Sequence, residues 1–284
     1  MPPRCVVGGL DNLHRMCTVA ALRVIKEIWT FTDALGVTSV DDQLFVLLAR
    51  YVNQIAVHSI NDYKLLHHLS VPGLKRYSMR DMTSCVQHKC LYMSDCDNSC
   101  IHRYDLRSSA VIQWRVPDVP LGLSVTPSCN LLVTCRETNK LVELSADSGQ
   151  CLREVILQPD VVNPSHSVQL TTCQFLVCHG FWNDTLHRVC LVGDDGKVSR
   201  SYDGQCGSDV GRLNMARHLA VDTDSQFIFV VDQHNDRVVL LSPTLEFACS
   251  VSEKLSRPRG LYLHQPTRRL FVGNKTGKVV VIQL

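Results

Sequence analysis

Between Cys85 and Tyr104 the chain carries Cys85, His88, Cys90, Cys96, Cys100 and His102, the residue types that hold zinc. The segment has no paired Cys-x-x-Cys, and a strand running through it would turn neighbouring candidates to opposite faces. Buried strand cysteines are therefore expected there, and no metal site. Nucleophilic catalysis needs a nucleophile, a base and an orienting group brought together. No Gly-x-Ser-x-Gly, His-Glu-x-x-His or phosphate-cradling Gly-rich loop occurs; "VGGL" (7–10) and "DGQCGSDVG" (203–211) read as loops. These observations predict no catalytic residues, no cofactor and no enzymatic activity. What the polar residues do offer is cations scattered at similar places along the chain, Arg80, Arg217 and Arg259 among them.

The elements that would position these residues follow from a repeat. Six apolar triplets recur: Leu44-Phe45-Val46, Leu91-Tyr92-Met93, Leu131-Leu132-Val133, Phe175-Leu176-Val177, Ile228-Phe229-Val230 and Leu270-Phe271-Val272. Their middle residues are 47, 40, 44, 53 and 42 positions apart, the period of a four-stranded propeller blade. A turn-former follows each triplet (Asn53, Asn98, Asn139, Asn183, Asn235 and Gly277), then a second apolar run, so each copy contains a β-hairpin. A short apolar segment precedes each hairpin, as in "PLGLSV" (120–125), and a fourth follows, as in "CLREVIL" (151–157).

The sixth copy stops at Leu284 after three strands, while "LRVIKEIWTF" (22–31) has no hairpin of its own. That segment is expected to supply the missing outer strand and close the ring, so that no sheet edge stays open; a helix over 18–28 is the alternative. The prediction is an all-β, six-bladed β-propeller of four-stranded antiparallel blades over residues 22–284, with residues 1–21 as an N-terminal extension that need not be ordered.

Bulk properties agree with a globular chain: 284 residues, 45% hydrophobic, 20% charged and a formal net charge of +2. No run approaches the about 18 apolar residues of a membrane helix, and Arg4, Asp11, His14 and Arg15 break the place a signal peptide would need. Most of the fourteen cysteines lie in apolar, strand-like runs, where a free thiol behaves as a small hydrophobe. A cytoplasmic location, without membrane association, is expected.

The fifth copy, "MARHLAVDTDSQFIFVVDQHNDRVVLLSPTLEF" (215–247), with Asp222 after its inner strand, Asp232 after the next and "NDRVVLL" behind it, resembles an NHL repeat, and the sixth copy is similar. Copies one to four keep mainly the apolar frame and the Asn. The resemblance implies a six-bladed propeller like the one at the C-terminal end of tripartite-motif proteins, which binds protein partners or single-stranded RNA. The zinc modules that give those proteins ubiquitin-ligase activity have no counterpart in this sequence. Six-bladed enzymes of the gluconolactonase kind hold a divalent metal in the channel with carboxylates and Asn. Here the aligned channel-mouth residues are Leu35, Arg80, Leu121, His166, Arg217 and Arg259, which would repel a cation.

The hairpin loops add Arg50, Tyr51, Arg136, His179, Trp182, His234 and Lys275 to that face. The expectation is a non-catalytic platform for a protein partner, as in substrate recognition for a ubiquitin-ligase system, with single-stranded RNA as the alternative ligand. The expected contacts are Arg80, Trp182, Arg217, His234 and Arg259, with Trp182 as a loop hot spot. Trp29 and Trp114 are expected to pack between blades.

Overall fold

The computed structural model describes residues 22–48, 54–73, 79–202, 205–209 and 211–284. Arg50, Tyr51, Asn53 and the extension 1–21 lie outside the described residues. The architecture is six four-stranded antiparallel sheets, and the inner strands contact one another in ring order with the sixth meeting the first. It is a six-bladed β-propeller. The inner strands are Ala34–Val40, Met79–Cys85, Pro120–Val125, Pro164–Thr171, Ala216–Val221 and Pro258–His264. The ring closes as the sequence predicts: Arg23–Trp29 is a strand, antiparallel to Lys278–Gln283, and completes the sixth blade from outside.

Each apolar triplet lies in the second strand of its blade and is buried almost completely. The triplets are continuous rather than alternating because both faces of a blade are covered by its neighbours. The apolar core is accordingly divided into six clusters, each shared by adjacent blades. Burying each large side chain contributes about 1.5 to 3 kcal/mol, so the second strands anchor the ring. Outer strands have one free face, and this decides the tryptophans. Trp114 packs on Tyr92, with ring centroids 5.6 Å apart. Trp29 corrects the expectation: Ile28 takes the inward position, and Trp29 is 58% exposed with the Lys278 ammonium over its ring.

Polar residues tie the blades together. The buried Asp232 carboxylate accepts from Asn214 N, Asn235 Nδ2 and Arg237 Nε and so clips the fifth hairpin. Asp222 accepts from Arg268 of the next blade at 2.5 Å. In the second blade Asp95 accepts from the Asn98 backbone and side chain and lies 3.1 Å from His102 Nε2. Asp95, Cys100 and His102 approach closely enough to share an ion. However, the carboxylate already serves the turn, and burial pushes the Cys100 thiol up. Among the described residues, twelve cysteines are free thiols, most of them inside strands. No helix among the described residues is long and apolar enough to cross a membrane.

All six inner strands share an irregularity. The pairing of inner with second strand shifts between Ala34 and Gly36, Met79 and Met82, Pro120 and Leu123, Pro164 and His166, Ala216 and Leu219, and Pro258 and Leu261. An extra residue in a strand re-aims the side chains around it. Close approach of neighbouring inner strands then demands glycine: a Cβ on Gly122 would lie 2.5 Å from Ser165 O and 2.6 Å from His166 Cα. Gly122→Ala is therefore expected to cost about 1 to 3 kcal/mol by overpacking, read as a lower urea midpoint at unchanged m-value. A midpoint equal to that of the native protein would contradict this packing.

Candidate active site

Where the inner strands begin, their bulges let two successive side chains face the ring axis. Leu35, Arg80, Asp81, Leu121, Gly122, Ser165, Arg217, His218 and Arg259 line one narrow cavity of about 10 Å³, room for roughly one water-sized atom. Three guanidinium groups thus meet one carboxylate. Deeper on the axis, a second cavity of about 140 Å³ is lined by inner-strand residues that include His166, His218 and Tyr262. His218 borders both cavities.

Asp81 is held from several sides. Its Oδ1 accepts from Met82 N at 2.8 Å and its Oδ2 from Leu123 N at 2.8 Å, while its own N–H donates to Ser94 Oγ. His218 Nε2 lies 3.3 Å from Asp81 Oδ1, and His218 Nδ1 lies 3.1 Å from Leu219 O. Both imidazole nitrogens of His218 therefore face acceptors. His166 stacks on His218 with centroids 3.7 Å apart. Its Nε2 donates to Leu123 O at 3.1 Å and lies 3.7 Å from Asp81 Oδ2.

Electrostatics divides these groups. Burial pushes His166 down to about 3, helped by the neighbouring His218 charge and opposed by Asp81, so it stays neutral. Burial acts to raise the Asp81 carboxyl, but the charge and hydrogen bond of His218, with help from His166 and Leu123 N–H, hold it below the usual carboxylate range. Asp81, His166 and His218 are also grouped closely enough to hold a metal ion. His166 would have to give up its bond to Leu123 O to offer Nε2 as a ligand.

Above this pair the charge is positive. Arg217 is 8% exposed, and burial lowers its pKa, with Asp81 opposing and Arg80 reinforcing. Arg136, stacked over Phe181 at 4.1 Å, is lowered to about 10 by burial and by Arg217 and Arg80. Lys275 is lowered to about 8 by burial and the charges of Arg259 and Arg257, with Asp33 opposing.

Of the five contacts expected from sequence, Arg80, Arg217 and Arg259 meet in this cavity. Trp182 and His234 form a separate pair on the hairpin loops of blades four and five, edge to face at 5.3 Å; Trp182 is 64% exposed. His179, placed in a loop by sequence, ends a strand and is wholly buried. Sequence reasoning missed Asp81 and His218. Each directly follows an aligned arginine, and the only signal was the doubled polar residue, Arg80-Asp81 and Arg217-His218, where strand alternation would permit one inward side chain. The channel mouth is still lined by more cations than anions, as the sequence placed it, but the Asp81 carboxylate and His218 lie within it as well.

No family model matches the chain, and no curated protein does. Among solved structures, virginiamycin B lyase from Staphylococcus aureus matches with a TM-score of 0.64 and 11% identity, over 93% of this chain and 99% of that one. A catalytically inactive histidine-to-alanine variant of the same lyase, with quinupristin, matches equally well. A streptogramin B lyase matches with a TM-score of 0.61 and 11% identity, over 93% and 88%. At this identity the likeness is one of fold. It overturns the expectation of a non-catalytic platform for protein partners or RNA, and with it the expectation of no enzymatic activity: these neighbours of the whole ring are enzymes. A linear scan for motifs fails here because a propeller assembles its site from single residues of different blades.

Proposed function

We propose that the channel mouth is the active site of an enzyme of the lyase class, acting by proton transfer beside a carbonyl group. The observation that carries this reading is the convergence of Arg80, Arg217 and Arg259 with the His218–Asp81 pair in one cavity. A substrate oxygen seated there meets donors already oriented toward developing negative charge, the arrangement that stabilises an enolate. Lys275, at about 8, supplies the base: it takes the proton from the carbon beside the carbonyl. The C–H electron pair passes into the enolate and returns to form a C=C bond as the leaving group departs with its own electron pair from the next carbon. The arginine guanidinium groups donate to the enolate oxygen, and Asp81, fixed by His218 and two backbone N–H groups, lies beside them. Enzyme neighbours of the same fold support the reading.

Quinupristin and β-substituted carboxylic acids form the substrate panel. For any member that turns over, kcat/KM is expected to rise with pH to a plateau above about 8, because the base must lose its proton. Lys275→Gln should lose about a hundredfold and the limb near that pH, and His218→Gln should lower kcat. Absence of turnover across the panel, or a pH limb unchanged in Lys275→Gln, would sink the reading. The NHL type of the repeat remains our proposal, supported by the Asp232 clip to Asn235 and Arg237. A cytoplasmic location is likewise proposed, supported by the free thiols.

A further inference from the structure

We infer that the arginine-ringed mouth is a binding site for a small, multiply charged oxyanion that inserts one oxygen among Arg80, Arg217 and Arg259. This names a substrate class for the site proposed above and rests on that reading for its role, but binding is measured without turnover.

Three guanidinium groups from blades two, five and six line a cavity whose one carboxylate, Asp81, is already engaged by His218 and two backbone N–H groups. Arg217 is more than nine-tenths buried, and none of the hydrogen bonds or ion pairs found among the described residues uses its guanidinium. Arg136, close enough to feel the charges of Arg217 and Arg80, has its Nε and one terminal nitrogen buried without a partner. A buried guanidinium with no anion bonded to it, as at Arg217, is costly, and an incoming oxyanion supplies it with acceptors through charge-assisted bonds. The shape selects a small ligand: the cations gather at one point on the ring axis, in a cavity the size of one oxygen. A nucleic-acid strand needs a track of cations for successive phosphates. A terminal phosphate or a polycarboxylate concentrates its charge instead.

Thermal melting and calorimetric titration with inorganic phosphate and with tricarballylate, at matched ionic strength in sodium chloride, test the site. Either anion at a hundred times its Kd should raise Tm by about 5 to 10 °C over the chloride control, and whichever binds more tightly identifies the source of the oxyanion. Arg217→Gln and Arg80→Gln should each weaken binding by about tenfold or more. Arg217→Gln, relieved of a buried charge, should melt no lower than the native protein without the anion. No shift from either anion beyond chloride, or equal binding by both variants, overturns the inference. So does a twelve-nucleotide single-stranded RNA that binds where neither small anion does. Anion binding without turnover of any substrate removes the catalytic reading and leaves this one; turnover without anion binding does the reverse.

Discussion

Asp81→Asn is expected to destabilise the propeller by about 3 to 5 kcal/mol, the cost of removing one partner of a buried charge pair. The carboxylate is 4% exposed and accepts from two backbone N–H groups, with His218 Nε2 3.3 Å away. An asparagine keeps the volume but offers one acceptor oxygen. Its amide group must turn toward Met82 N–H, Leu123 N–H or the histidines, all of them donors on that side. For a domain of this size the loss corresponds to a fall in Tm of about 6 to 20 °C, measured by calorimetry at pH 7. Adding His218→Gln removes the imidazole left without its carboxylate partner and should return a large part of the loss, so the two changes are strongly non-additive. A Tm within 2 °C or so of the native value for Asp81→Asn alone would show that the Asp81 carboxylate does not hold the inner strands as described.

Acid is expected to unfold the protein well above the carboxylate range. His166, at about 3, and His179, at about 4, are lowered chiefly by burial, whereas an unfolded histidine titrates near 6.5. Between those values the unfolded chain binds more protons than the native one, so stability is complete above about pH 6.5 and falls as the pH drops through the window. Each of the two groups contributes a slope of about 1.4 kcal/mol per pH unit. Burial also lowers His58, His234 and His264, with the same sign. The Asp81 carboxyl, held below its ordinary range, adds its loss only at still lower pH. Urea midpoints from pH 7 to 4.5 should therefore decline steeply, and His166→Gln, which keeps a donor for Leu123 O, should flatten the decline by about one proton's worth of slope. An identical pH profile in that variant would place the titration elsewhere.

The Asp81–His166–His218 group and the arginines above it share one physical logic. Ring closure brings polar side chains from blades two, four, five and six around a single axis, and the inner-strand bulges increase the number that can point inward. Trp182, edge to face with His234, stands exposed on the loops. The axis provides a recessed place where a carboxylate, an imidazole and several arginines come together, as the proposed activity requires.

The sequence alone determined the ring. Fully buried second strands had to be apolar at every position, so Leu-Phe-Val and its variants announced themselves six times, and turn residues marked the hairpins between them. The closing strand was legible because the six copies, with twenty-three strands among them, left one edge needing cover. Alignment of the copies also brought Arg80, Arg217 and Arg259 to one place. Tertiary structure decided what lies beside them. Alternation along a strand assigns one inward residue in two, and a bulge breaks that rule without leaving a mark in composition. Only the register shifts between Met79 and Met82 and between Ala216 and Leu219 turned Asp81 and His218 to the axis with their arginines. The contact between them joins residues more than 130 positions apart on blades two and five, and closure of the ring is the physical event that brings them together.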